Sequence, residues 1–92
     1  MTYVLRAESG TDGALLTDGA GTLTGFSVRE SAGTPGAASF VLRDGVDDTG
    51  APLVFVQLGQ GDTQTLALAV SYRTGLFLDR TDGETEAAVY IS

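Results

Sequence analysis

The fold is decided by residues 53–71, which read LVFVQLGQGDTQTLALAVS. Residues 53–58 are apolar on both faces, which is typical of a central strand. The Gly-Gln-Gly turn that follows is read as a hairpin turn, since glycine allows the chain to reverse. Residues 65–71 then alternate large apolar with small or polar side chains. Alanine and leucine favour helices, but alternation over so short a run predicts a strand with three inward side chains, Leu66, Leu68 and Val70.

The same arrangement of short apolar runs between turns extends over the rest of the chain. Aspartate–glycine pairs, which mark turns, begin at Asp12, Asp18, Asp44 and Asp82. Further strands are predicted at 3–7, 14–17, 23–29, 38–43, 76–79 and 87–91. Because Leu23 is out of phase with Phe26, we place a β-bulge at Gly25. Such spacing predicts an all-β fold: a small antiparallel β-sandwich or jelly roll of seven or eight strands.

The length of the chain indicates one domain. The chain has 92 residues, and residues 1–92 are predicted to form a single β-sandwich domain, since a domain typically contains about 100–200 residues. Residues 8–21 are weakly hydrophobic and are predicted to be a long surface loop or arm. Residues 31–37 are predicted to be a loop between two strands.

The amino-acid composition limits the partners and the location that we expect for the protein. The chain has neither cysteine nor histidine and carries a net charge of −7. A negative surface repels phosphate groups, so we expect no nucleic-acid partner and no docking on anionic membranes. The first residues do not resemble a signal peptide, and no apolar run approaches the roughly 20 residues of a membrane span. These features predict a soluble protein made in the cytoplasm.

Two acidic clusters are candidate chemical sites. Residues 44–50 could supply oxygen ligands to calcium, but they lack the spacing of a calcium-binding loop, so a loop in which aspartates accept backbone amide hydrogens is favoured. Asp79, Asp82, Glu84 and Glu86 could act as a hydrolytic carboxylate pair, but a hairpin tip rarely encloses a substrate. We therefore expect no catalytic residues, no metal and no cofactor, and a protein that is not an enzyme.

A binding function directs attention to amphipathic side chains. Tyrosine is favoured at interfaces because one end is apolar and the other forms hydrogen bonds. Phe77 alternates out of phase with its apolar neighbours and is predicted to point outward, near Arg73 or Arg80. The candidate interface residues are Tyr3, Tyr72, Arg73, Phe77 and Tyr90.

Residues 21–91 resemble a group of small β-sandwich proteins from tailed bacteriophages. The resemblance rests on GTLTGFSVR (21–29), FVLRDG (40–45), TGAPLV (49–54), GLFLD (75–79) and AVYI (88–91). It implies a structural virion protein of the capsid decoration, or cement, type. Such a protein would lie on the capsid exterior after synthesis in the host cytoplasm, bind the major capsid protein and form a homo-oligomer, often a trimer.

Two other functions stay open at this stage. The chain could be a carbohydrate- or receptor-binding module of a phage tail or spike, because sandwich loops often carry such sites. The absence of tryptophan weakens that alternative. A small hydrolase that uses the second acidic cluster is the least favoured.

Overall fold

The computed structural model describes residues 3–7, 13–31 and 36–92, with side chains from residue 13 onward. In these residues the chain forms eight strands and no helix, so no described segment is a helix able to span a membrane. The strands are β1 (Tyr3–Ala7), β2 (Gly13–Asp18), β3 (Gly21–Glu30), β4 (Ala38–Asp44), β5 (Ala51–Leu58), β6 (Thr63–Tyr72), β7 (Gly75–Asp82) and β8 (Thr85–Ile91). The all-β prediction is confirmed, and each predicted strand is found at the same place or slightly longer.

The strands form two antiparallel sheets of four. The first sheet has the order β1-β8-β3-β6 and the second the order β2-β7-β4-β5. The ladders β1–β8, β2–β7, β3–β6 and β4–β5 are nested, as if one long hairpin had been wrapped into two layers. This pairing is the jelly-roll topology.

Alternating apolar side chains of both sheets fill the space between the layers. Phe26 of the first sheet meets Phe40 of the second edge to face, with ring centroids 6.4 Å apart. Aromatic pairs of this geometry contribute about 0.5–1.5 kcal/mol beyond the area they bury. The other fully buried large side chains are Leu23, Val28, Leu42, Val56, Leu76, Leu78 and Val89.

The predicted bulge at Gly25 is confirmed. The pairing of β3 with both of its neighbours shifts between Leu23 and Gly25, so Leu23 and Phe26 both reach the core. A Cβ atom at Gly25 would lie 2.7 Å from the carbonyl oxygen of Leu66. Glycine is required here because the backbones of β3 and β6 approach too closely for a side chain.

Three sequence predictions are corrected by the sheet order. Residues 13–18 form β2, which confirms the strand predicted at 14–17 and corrects the loop or arm predicted at 8–21 over these residues; residues 8–12 lie outside the described residues. β5 is an edge strand and not a central one. The turn at residues 59–62 joins β5 to β6 in the other sheet, so it is not a hairpin turn. The predicted loop at 31–37 lies partly outside the described residues.

Candidate interaction surface

The outer face of the second sheet carries an unusual set of apolar side chains. Phe40 and Leu42 of β4 point into the core, so Val41 lies on the outer face, opposite Phe55 of β5 and Asp79 of β7. One row along, Arg43 lies beside Phe77 of β7, and Phe77 lies beside Leu15 of β2. We call the four apolar members the outer apolar patch: Leu15, Val41, Phe55 and Phe77.

Phe55 is the most exposed member of the outer apolar patch. Its side chain is 72% exposed although it lies within a strand. Moving a phenylalanine side chain from water into an apolar contact is worth about 1.5–3 kcal/mol. A ring held in water by a strand therefore marks a surface that gains stability when something covers it.

The packing of Phe77 and the exposure of its neighbours shape the patch. The Phe77 ring lies over the glycine that begins β2: a Cβ atom on Gly13 would lie 3.0 Å from its Cζ atom. Leu15, the cross-strand neighbour of Phe77, is 46% exposed, whereas Val41 at the centre is only 6% exposed. The patch is thus a packed apolar centre between an exposed leucine and an exposed phenylalanine.

A half-buried ion pair is set among these apolar side chains. Arg43 Nε lies 3.0 Å from Asp79 Oδ2, and the Arg43 guanidinium also donates to the carbonyl of Gly50 at 3.1 Å. The positive charge of Arg43 and the negative charge of Asp79 therefore neutralise each other on the outer face of the sheet. A partner can cover them without leaving an unpaired charge buried, which is the costly outcome in an interface.

The predicted interface residues fall in different places. Phe77 points outward as predicted. The arginine opposite it on the neighbouring strand is Arg43, however, instead of Arg73 or Arg80. Tyr90 lies on the outer face of the first sheet beside Gly25, on the far side of the molecule from Phe77. Arg73 is exposed in the turn between β6 and β7.

The predicted interface position of one tyrosine, Tyr72, is corrected by the structure. Tyr72 is only 3% exposed and belongs to the core, and burial raises the pKa of its hydroxyl. Its ring folds over the start of β3, where a Cβ atom on Gly21 would lie 2.5 Å from the phenolic oxygen. Tyr72 is therefore removed from the candidate interface. Tyr3 pairs with Ile91 through the backbone, and its side chain lies outside the described residues.

Two aspartates of the first acidic cluster accept hydrogen bonds from backbone N–H groups. The Asp44 carboxylate accepts hydrogen bonds from the backbone N–H groups of Thr74 and Arg73, at 2.9–3.1 Å, and these bonds lower its pKa. Asp47 accepts from the hydroxyl and backbone N–H of Thr49, which lowers its pKa in the same way. The predicted loop with aspartates bound to backbone amides is confirmed.

Asp44→Asn is expected to destabilise the protein in a pH-dependent way. At neutral pH we expect a loss of about 1 kcal/mol, because the bonds are charge-assisted but partly solvated. For a domain of this size that is about 5 °C in Tm. A lowered folded pKa stabilises the fold above the ordinary carboxyl pKa of 3.8, and this stabilisation is lost as pH falls through the lowered value.

Thermal unfolding at neutral pH and near pH 3 measures this effect. The Tm difference between the wild type and Asp44→Asn should narrow in acid. Asp48→Asn, at an exposed position of the same loop, is the control and should change Tm little. An equal loss in both variants would contradict the role given to Asp44.

The second acidic cluster is divided between the two sheets. Asp79 is paired with Arg43 on the outer face of the second sheet, whereas Glu86 is paired with Arg29 at 3.2 Å on the outer face of the first. Asp82 ends β7, and Glu84 lies in the turn after it. Asp79 and Glu86 therefore lie on opposite outer faces of the sandwich and cannot act together as a carboxylate pair. Among the described residues no group of three or more acidic side chains is placed to hold a metal ion.

A shallow depression of about 370 Å³ lies at one end of the second sheet. It is lined by Ala37, Ala38, Ser39, Gln57, Leu58, Gly59 and Asp82. These side chains offer neither an aromatic platform nor a cluster of charges. The outer apolar patch is therefore the stronger candidate for a functional surface.

Comparisons with protein-family models, with curated proteins and with solved structures found no match for this chain. The outer apolar patch and the jelly-roll fold are therefore the features of this chain that bear on its function.

Proposed function

We propose that the protein is a structural component of a tailed-phage virion, which decorates the capsid by docking its outer apolar patch on the major capsid protein. The observation that carries the docking surface is Phe55, a ring 72% exposed beside apolar neighbours in a regular strand. Interfaces draw most of their binding energy from a few such aromatic anchors near the centre of a contact.

The chemistry of the patch favours a folded protein as partner. Its charges are paired within the sheet, and a hydroxyl pair borders it, with Ser39 Oγ 2.6 Å from Thr81 Oγ1. An apolar centre with a satisfied polar border is the usual composition of a protein–protein contact. A net charge of −7 opposes the phosphate groups of nucleic acids or lipids.

Assignment to a capsid is supported by the resemblance of residues 21–91 to phage virion proteins and, by analogy, by the jelly-roll topology, which recurs in viral capsid domains. An acidic surface also suits a protein displayed in many copies on a particle, because like charge limits unspecific association.

This proposal is tested by quantitative mass spectrometry of virions, which are purified from cells that carry the gene for this protein. Many copies per particle are expected, together with saturable binding of the purified protein to particles that lack it. Absence from particles would overturn the proposal. Binding to isolated tails or to glycans, without binding to capsids, would instead favour a receptor- or carbohydrate-binding module.

A further inference from the structure

The two sheets end in four edge strands: β1 and β6 in the first sheet, β2 and β5 in the second. An edge strand offers unpaired backbone groups to any other strand, and proteins usually block it with a charge, a proline or a bulge. β1, β2 and β5 each carry such a device. β1 includes Arg6, β5 includes Pro52, and the pairing of β2 is irregular between Leu15 and Thr17.

β6 lacks a charged or proline blocking residue. Its ten residues, TQTLALAVSY, include neither a charge nor a proline. Residues 63–67 are all exposed and keep a regular register with β3; the irregularity of that ladder lies beyond them, between Ala67 and Val70. In the part of the chain that the structure describes, no strand pairs with the second edge of β6. The irregularity of β6 is confined to its C-terminal half, so residues 63–67 form an uncharged and regular edge that is open to pairing.

The core is also open along this edge. Leu66 pairs with buried Phe26 and therefore lies on the inner face of the first sheet, yet it is 42% exposed. Leu68 and Val70, on the same face of β6, pack against the core but are only partly buried. A strand added beside β6 would cover these side chains and would also satisfy the free backbone groups.

We propose that β6 pairs antiparallel with β6 of a second copy of this chain, across a twofold axis near Leu66. In this register Thr65 lies opposite Ala67 of the second copy, and the two Leu66 side chains meet on the inner face. Antiparallel neighbours project to the same side of a sheet, so both inner faces stay aligned. The two first sheets then form one continuous eight-stranded sheet, four strands from each copy.

Charge does not oppose a second copy on this edge. Two chains of net charge −7 repel each other over most of their surfaces, but none of the twelve carboxylates lies on β6. Pairing through β6 therefore places no like charges directly opposite one another, which would be destabilising. A twofold contact uses the same patch on both subunits. It predicts a dimer, in contrast to the trimer that the phage resemblance implies.

The mass of the protein in solution, measured by sedimentation over a range of concentrations, tests this inference. We expect twice the chain mass for the wild type and the single-chain mass for Leu66→Lys, which places a charge at the axis. Leu15→Lys is the matched control, since Leu15 is a similarly exposed leucine on the edge strand β2. It should remain dimeric while losing capsid binding, whereas Leu66→Lys should retain capsid binding, so the two proposals can fail separately.

Cross-linking gives a second readout that does not depend on the folding of Leu66→Lys. The chain has no cysteine, so Ala67→Cys places one thiol close to the proposed axis. A short bis-maleimide should convert this variant to a covalent dimer and leave Ala51→Cys, an exposed position on β5, largely uncoupled. A wild type that stays at the single-chain mass, a mass of three chains, or equal cross-linking of both variants would overturn the inference.

Discussion

Phe55→Ala is expected to weaken binding to the partner by at least about 2 kcal/mol, roughly thirty-fold in Kd, as for an aromatic anchor that becomes buried in an interface. The stability of the free protein should hardly change. The ring is already 72% exposed, so its removal takes little apolar area out of the core. Loss of binding without loss of folding is the combination that distinguishes an interaction surface from a structural one.

Titration calorimetry against the capsid protein, alongside thermal unfolding, measures both quantities. Gln57→Ala is the matched control, because Gln57 is the next outward-facing and exposed residue of β5. It should alter Kd only slightly. Comparable losses of affinity in both variants, or a marked fall in Tm for Phe55→Ala, would remove Phe55 from the proposed anchor role.

Gly83→Ala is expected to destabilise the fold by about 3 kcal/mol or more, because two costs combine. Gly83 has a φ of +65°, a region that L side chains enter only with strain. Its new Cβ atom would also overlap the carbonyl oxygen of Ala37 and lie 2.9 Å from the Cα of Ala38. Both neighbours precede or begin β4, so the contact cannot be relieved by moving a flexible side chain.

Chemical denaturation of Gly83→Ala and Gly61→Ala separates these two costs. Gly61 has a similar φ of +71° but has nothing within 4 Å of an added Cβ atom. Strain alone should cost Gly61→Ala about 1–2 kcal/mol. Equal losses in the two variants would show that the contact with residues 37 and 38 contributes nothing.

The strands themselves could be predicted because alternation is a local property. In β8, Ala87, Val89 and Ile91 are buried, and in β4 Phe40 and Leu42 are buried, as their spacing indicates. The bulge at Gly25 was predictable for the same reason: two apolar residues out of phase require an extra residue between them.

The position of each strand in its sheet could not be predicted in this way. Residues 53–58 are apolar on both faces, and the central position inferred from that pattern was wrong. In a sandwich of only two layers every strand has one face directed away from the core, so an apolar outer face such as that of Phe55 must lie at the surface. The pattern therefore indicated an uncovered surface. Likewise, a glycine turn shows that the chain reverses but not which sheet it enters next.

Individual site residues were hard to assign for a related reason. Tyr72 ends β6 and was predicted at an interface, yet its ring is buried against the glycine that begins β3. There is room for the Tyr72 ring only because Gly21, in a different strand, has no side chain. Packing of this kind depends on pairs of residues that are distant in sequence, so it cannot be predicted from each residue and its neighbours in the chain.

The nested ladders also have a kinetic consequence. β4 and β5 are the only consecutive strands of the described chain that pair with each other, whereas β1 must find β8 at the other end of the sequence. The entropy lost in closing a loop rises with its length, and sandwiches rich in distant pairings fold slowly, in milliseconds to seconds. We expect assembly to start at the β4–β5 hairpin and proceed outward, with β1 the last strand to join.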